Sequence, residues 1–136
     1  AWVLDVLRTA RVASTGAHLK VILETGELPD TEAIAEAARL AIESGADFVK
    51  TSTGKIPVSA TLDAAATMLD VIAQTAPVGG HRVGLKPSGG IRTADQAADY
   101  LSLAAGMMGD AYLAPATFRF GASSLLDALL AVTTGV

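Results

Sequence analysis

The sequence contains no cysteine and only two histidines among its 136 residues. The missing cysteines exclude disulfide bonds, thiolate nucleophiles and cysteine-based metal sites, and they are compatible with the cytoplasmic location that we expect. The two histidines, His18 and His81, lie far apart in the sequence and form no metal-ligand motif. Aromatic residues make up only 4% of the chain, so its core must be built mainly from aliphatic side chains and alanine.

A basic charge balance and a long apolar run are also missing. The net charge of -4 argues against a nucleic-acid partner, because binding to a phosphate backbone needs a basic face. Charged residues interrupt every apolar stretch well before the roughly 20 residues that a transmembrane helix needs, so we expect no membrane partner. We also expect no signal peptide. Hydrophobic residues nevertheless make up 51% of the chain, and we assign residues 1–136 to one domain with its own core.

Short β-branched runs alternate with helical patterns along the chain. The runs predict strands over 18–24, 47–51 and 82–86, and a fourth strand over either 111–114 or 117–120. The helical patterns predict a first helix from residue 1 to 8 and later helices over 31–44, after Thr61, after Thr93 and over 124–132. A helix followed by four strand–helix repeats predicts an α/β fold with a parallel sheet and right-handed crossovers.

Two lysines stand at the C-terminal ends of consecutive predicted strands. Lys50 and Lys86 each end an apolar run, and each precedes a turn that contains glycine. A single strand-end lysine usually reaches to solvent, but a pair at this end of a parallel sheet favours a functional site. Neighbouring strands are about 4.8 Å apart, so two ammonium groups disfavour each other's charge and the pKa of one falls. The pattern predicts that Lys50 is a neutral amine nucleophile and that Lys86 is its charged neighbour.

Two glycine-containing turns precede helices near these lysines. "KPSGGIRT" spans residues 86–93 and "FGASS" spans residues 120–124. Turns of this kind let backbone N–H groups approach an anion at a helix N-terminus, which makes a phosphorylated substrate plausible.

Four motifs resemble the deoxyribose-phosphate aldolase family. They are "LKVILETGEL" (19–28), "GADFVKTSTGK" (45–55), "VGLKPSGGIRT" (83–93) and "FRFGASSLL" (118–126). The family consists of class I aldolases with a (β/α)₈ TIM barrel, and the match is to strands five to eight. The resemblance therefore implies a half-barrel of four parallel strands with flanking helices. It also implies reversible cleavage of 2-deoxy-D-ribose 5-phosphate to D-glyceraldehyde 3-phosphate and acetaldehyde, without a metal or other cofactor.

The same resemblance implies roles for individual residues. The Schiff-base lysine of the family corresponds to Lys50, and the second lysine, which perturbs the first and assists proton transfer, corresponds to Lys86. Contacts to the substrate and its phosphate are implied for eight further residues: Lys20, Thr53, Gly54, Lys55, Gly89, Gly90, Ser123 and Ser124.

The chain also departs from the family. A TIM barrel typically needs about 250 residues, and the catalytic aspartate that the family places on strand three has no counterpart here. Asp47 is expected at the far end of its strand, and Glu24 is better placed but not shown to relay protons. The opening helix without a capping residue predicts a fragment or one chain of a split enzyme. We expect a homo-oligomer of two copies that close one barrel, a partner half-barrel chain, or a portion of a longer aldolase.

Two other functions stay open at this point. The chain could be a non-catalytic half that assembles and binds phosphate without turning substrate over, because the acid/base aspartate is missing. It could also belong to another Schiff-base barrel that acts on a different sugar phosphate.

Overall fold

The computed structural model describes residues 2–75 and 82–134, and within them three parallel strands form one sheet. The strands are β1 (Lys20–Ile22), β2 (Phe48–Lys50) and β3 (Gly84–Lys86), in the order β1-β2-β3. The register aligns Lys20 with Phe48 and Gly84, and it aligns Ile22 with Lys50 and Lys86. The predicted parallel sheet is confirmed, although each strand is shorter than its apolar run.

Five α-helices and two short 3₁₀ helices surround the sheet in the described residues. The α-helices are α1 (Trp2–Ala13), α2 (Thr31–Glu43), α3 (Leu62–Gln74), α4 (Ala94–Met108) and α5 (Leu125–Thr134). The 3₁₀ helices are Thr25–Glu27 and Asp110–Tyr112. The described parts of the chain contain no helix long and apolar enough to cross a membrane.

The helix starts follow local capping chemistry. Asp30 caps α2, because its side chain accepts a hydrogen bond from the Ala33 N–H at 2.8 Å. Thr61 caps α3. Thr93 and Gln96 form a capping box at the start of α4. Each of these caps was predictable because it depends on residues within one helical turn.

The predicted fourth strand is not confirmed, because the structure shows three strands in the described residues. Residues 110–112 form a 3₁₀ helix instead, and residues 117–121 follow β3 in parallel only through the isolated bridges Leu85–Phe118 and Ser88–Gly121. The reason is Pro87. Two hydrogen bonds begin the pairing: the Leu85 N–H donates to the Thr117 carbonyl, and the Arg119 N–H donates to the Leu85 carbonyl. After a gap, the Gly121 N–H donates to the Pro87 carbonyl at 2.8 Å. The intervening donor would be the N–H that proline lacks, so the pairing is interrupted.

The core lies between the outer face of the sheet and the helices α2, α3 and α4. Val49 and Leu85 are fully buried there, because side chains alternate along a strand and these two lie on the face opposite the lysines. The helices contribute many alanines and a few large aliphatic side chains, chiefly Ile34, Ala38, Ala41, Ile42, Ala65, Met68, Leu69, Ile72, Ala97 and Ala104. Small residues let helices and sheet approach closely, which compensates for the low aromatic content.

The two terminal helices are covered far less than the central ones. None of the residues of α1 is buried, and its Trp2 is 77% exposed. The helix is held near its end by Arg11, whose guanidinium lies 2.6 Å from the Asp47 carboxylate. On α5, Leu126 and Leu130 are exposed. Apolar side chains on both outer helices therefore face away from the described core.

Candidate active site

Lys50 and Lys86 are direct neighbours at the C-terminal ends of β2 and β3. Their Cα atoms are partners in the parallel register, so both side chains project from the same face of the sheet. Phe48 and Gly84 are the aligned pair two residues earlier on that face. A Cβ on Gly84 would lie only 2.2 Å from the Phe48 ring, so the ring occupies the space that a larger residue would fill.

A layer of cations lies against the Phe48 ring. The Lys20 Nζ is 5.4 Å from the ring centroid, and the Arg119 guanidinium carbon is 4.4 Å from it. Both distances fit cation–π contacts. Within residues 2–75 and 82–134, neither cation forms an ion pair with a carboxylate, and the same is true of Lys50 and Lys86. This face of the sheet is therefore strongly and locally positive.

The surroundings of Lys86 disfavour its charged form. Desolvation by burial lowers the pKa of Lys86, and the positive charges of Lys20, Lys50 and Arg119 lower it further. The repulsion expected between strand-end lysines is thus present. The sequence predicts that Lys86 is the charged neighbour of Lys50, whereas the surroundings of Lys86 disfavour that charge.

An open cavity of about 460 Å³ lies above the two lysines. Eight of the predicted site residues line it: Lys50, Thr53, Gly54, Lys55, Lys86, Gly89, Gly90 and Ser123. Two predicted residues do not. Lys20 lies on the same sheet face but against Phe48, and Ser124 is exposed next to the start of α5.

The structure also brings residues to the cavity that were not predicted as site residues from the sequence. Ser88, Ile91, Arg92, Gly121 and Ala122 complete the lining of the cavity. Arg92 was available in the "KPSGGIRT" motif, where a cation beside paired glycines is a signal for anion binding. The sequence indicates the position of Arg119 only weakly. Phe118 is buried, and side chains alternate along an extended segment, so Arg119 is expected on the face opposite to Phe118.

The loops that follow β2 and β3, which contribute residues to the cavity lining, are in close contact with each other. The hydroxyl of the fully buried Thr51 accepts the Ser88 N–H at 2.9 Å and donates to the Ser88 carbonyl at 3.2 Å. Gly89 has a φ of 89° and allows the loop after β3 to approach the loop after β2, since a Cβ there would lie 2.5 Å from Ser59. The loops that carry the glycines are therefore fixed to each other rather than independently placed.

The two candidate carboxylates lie where the sequence predicted. Asp47 is at the far end of the sheet, where its carboxylate accepts the Leu19 N–H at 2.7 Å. Glu24 follows β1, and its carboxylate accepts the Thr53 N–H at 3.1 and 3.2 Å. In the described residues, no acidic side chain lines the cavity, and no group of three or more His, Asp or Glu side chains could hold a metal ion. His81 lies outside the described residues.

Solved structures share this fold. Two are named putative deoxyribose-phosphate aldolases: the one from Toxoplasma gondii superposes with a TM-score of 0.82 at 22% identity, and the one from Coccidioides immitis with 0.76 at 29%. A tetrameric deoxyribose phosphate aldolase from Aeropyrum pernix gives 0.70 at 24%. These matches cover 96%, 96% and 98% of this chain but only 50%, 45% and 50% of those structures, so the chain spans about half of their length.

The sequence profile of the family described as "DeoC/LacD family aldolase" matches residues 3–131. That range contains both strand-end lysines, the glycine-containing turns and every residue that lines the cavity. This chain therefore belongs to the DeoC/LacD aldolase family.

Proposed function

We propose that this chain carries the nucleophile of a class I aldolase that reversibly cleaves 2-deoxy-D-ribose 5-phosphate to D-glyceraldehyde 3-phosphate and acetaldehyde. The observation that carries the proposal is the pair Lys50 and Lys86, aligned on adjacent parallel strands at the mouth of one cavity. Membership of an aldolase family supports the reaction type.

Lys50 is the proposed nucleophile. Its neutral amine adds to the C1 aldehyde of the substrate, and loss of water gives a protonated imine. The acetaldehyde product holds the first two carbons, so the bond that breaks is C2–C3, and its electron pair moves into the imine to form an enamine. A base must take the C3 hydroxyl proton, and an acid must protonate C2 before water releases acetaldehyde.

Lys86 is suited to move protons in this cycle. Its lowered pKa makes the neutral form more accessible than in an ordinary lysine, so the same group can accept and return a proton. Its position as the register partner of Lys50 supports this role, because the imine proposed on Lys50 needs a proton-transferring group nearby.

Other residues of the cavity lining are suited to the phosphate. Lys55 and Arg92 bring two cations to the lining, and Gly54, Gly89 and Gly90 bring backbone without side chains. Ser123 lies just before α5, whose N-terminus favours an anion. We propose that Ser124 contributes through the same helix end, and that Lys20 acts through the positive layer rather than by direct contact.

The proposed architecture is one half of a (β/α)₈ barrel that forms a single domain over residues 1–136. The three strands and the bridged segment 117–121 correspond to strands five to eight in this proposal. The exposed apolar side chains of α1 and α5 support a second half that covers the open sides. A second copy, a separate chain or further polypeptide could supply that half.

A second candidate function has one observation in its favour. The described lining of the cavity contains no carboxylate that could act as the acid/base group. A half-barrel that binds phosphate but needs a partner for turnover would show the same feature.

Trapping with borohydride tests the nucleophile. We expect acetaldehyde and borohydride to add one ethyl group to Lys50, located by peptide mass mapping. Lys50→Arg should abolish the adduct, whereas Lys55→Arg, which changes another lysine of the same cavity, should retain it. An adduct that persists in Lys50→Arg would refute the proposed role. Aldol cleavage by the chain alone then separates the enzyme from the partner-dependent half.

A further inference from the structure

Glu24 has an unusual backbone conformation. Its φ of 52° and ψ of 57° lie in the left-handed region, and in the described residues it is the one non-glycine residue with a positive φ. A side chain with a Cβ is disfavoured in this region, where glycine, asparagine or aspartate is usual. The presence of glutamate at this position therefore points to a specific contact made by its carboxylate.

The contact is with the loop that follows Lys50. Both carboxylate oxygens of Glu24 lie within 3.2 Å of the Thr53 nitrogen, at 3.1 and 3.2 Å. The Thr53 hydroxyl in turn accepts the Lys55 N–H at 3.2 Å. Thr53 and Lys55 both line the cavity, whereas Glu24 does not.

The neighbours of Glu24 hold the same loop at other points. The Leu23 N–H donates to the Lys50 carbonyl and the Thr25 N–H donates to the Thr51 carbonyl, each at 2.9 Å. The Glu24 carboxylate extends this series of hydrogen bonds by one acceptor, beyond the end of β2. Further along, a Cβ on Gly26 would lie 2.1 Å from the Val58 carbonyl oxygen, so the turn after β1 packs tightly on the same loop.

We propose that Glu24 is a positioning residue for the anion-binding end of the cavity. Its carboxylate fixes Thr53, and Thr53 fixes Gly54 and Lys55 where they can contact the phosphate of the substrate. This inference rests on the proposed function for the identity of that anion. The negative charge of Glu24 alone would repel a phosphate and weaken its binding. The proposed positioning of the loop strengthens phosphate binding, so the two effects of this side chain on phosphate affinity are opposed.

That opposition makes the inference testable with inorganic phosphate and the chain itself. We expect Glu24→Ala to raise the Kd for phosphate about tenfold, because the loop loses its charged acceptor. Glu24→Gln keeps an oxygen acceptor without the charge, so its Kd should stay equal to that of the unaltered chain or fall. Glu24→Gly adopts the positive φ without strain and lacks the carboxylate, so it should bind as weakly as Glu24→Ala. Glu27→Ala removes an exposed carboxylate from the same turn and is the matched control.

Amide hydrogen exchange gives a readout that does not depend on the ligand. The Thr53 amide should exchange faster in Glu24→Ala and Glu24→Gly but not in Glu24→Gln or Glu27→Ala. Tighter phosphate binding by both Glu24→Ala and Glu24→Gln would show that Glu24 acts only as a charge and would overturn the positioning role. If the unaltered chain forms the Lys50 adduct but binds no phosphate, the positioning role fails and the nucleophile stands. If phosphate binds and no adduct forms, the proposed aldolase chemistry fails instead.

Discussion

Replacing Gly121 by alanine should strain the site beneath the cavity. A Cβ at this position would lie 2.3 Å from the Ser88 Oγ, 2.6 Å from the Ser88 Cβ and 3.0 Å from the Lys86 Cε. Comfortable carbon–carbon contacts are about 3.5–4.0 Å, so the contact to the Ser88 Cβ is short by roughly 1 Å. Ser88 is buried, and backbone hydrogen bonds to Pro87 and from Gly89 hold Gly121 in place. Overpacking of this kind costs about 1–3 kcal/mol of the free energy of unfolding.

Urea denaturation followed by far-UV circular dichroism measures that cost. Gly106→Ala is the matched control, because Gly106 lies exposed within α4 and a Cβ there would meet nothing within 4 Å. The same change should therefore stabilise the chain by about 0.5–1 kcal/mol at Gly106 and destabilise it at Gly121. Adding Ser88→Gly to Gly121→Ala removes the clashing side chain and should give a favourable coupling energy of about 0.5–3 kcal/mol in a double-mutant cycle.

The effect on Lys86 distinguishes a local clash from general loosening. Because the new methyl group would touch the Lys86 side chain, Gly121→Ala should slow adduct formation at Lys50 even where the chain is fully folded. An unfolding free energy within about 0.5 kcal/mol of the unaltered chain would refute this account, since that is the range expected for surface substitutions.

Three further predictions follow from individual contacts. Thr51→Val should cost about 1–3 kcal/mol of stability, because the buried Ser88 N–H loses its acceptor. Tyr112→Phe should cost a similar amount, about 1–3 kcal/mol, because the Val83 carbonyl loses the donor at 2.9 Å. The pKa of Lys86 is lowered from 10.5 in the folded chain, so the unfolded chain binds more protons between the two pKa values and stability should rise with pH across that window. Lys86→Met should remove the contribution of Lys86 to this rise, measured as the increase of the urea midpoint with pH.

Matched substitutions check these three outcomes. Thr67→Val removes a hydroxyl bonded to a backbone carbonyl on the exposed face of α3, and it should change stability far less than Thr51→Val. Tyr100→Phe removes a phenolic hydroxyl from α4, and it should lower the free energy of unfolding less than Tyr112→Phe does. Lys55→Met removes a lysine from the same cavity and should leave the pH-dependent rise in place. Equal effects within any pair would contradict the role given to the specific contact.

The features predicted from the sequence depend on short separations along the chain. Helix caps such as Thr93 are set by the next few residues, and the shared face of Lys50 and Phe48 follows from the period of two in a strand. Their outcomes matched the structure because few competing arrangements exist at that scale.

The features that were missed require knowledge of a distant partner. Pro87 was visible in the sequence, but its effect depends on which segment pairs with it, and that segment begins 30 residues later at Thr117. The stacking of Arg119 on Phe48 has the same origin, because the two residues are brought together only by the fold. The left-handed backbone of Glu24 is compensated by a contact with Thr53, which lies in another loop.

The position of Trp2 determines what fluorescence can report. It is the single tryptophan of the chain, and the residue is 77% exposed on α1. Its emission spectrum should already resemble that of an indole in water while the chain is folded, so heating or urea should shift it little. A shift to shorter wavelength would instead signal that another polypeptide has covered the outer helix, which makes this residue a built-in probe of assembly.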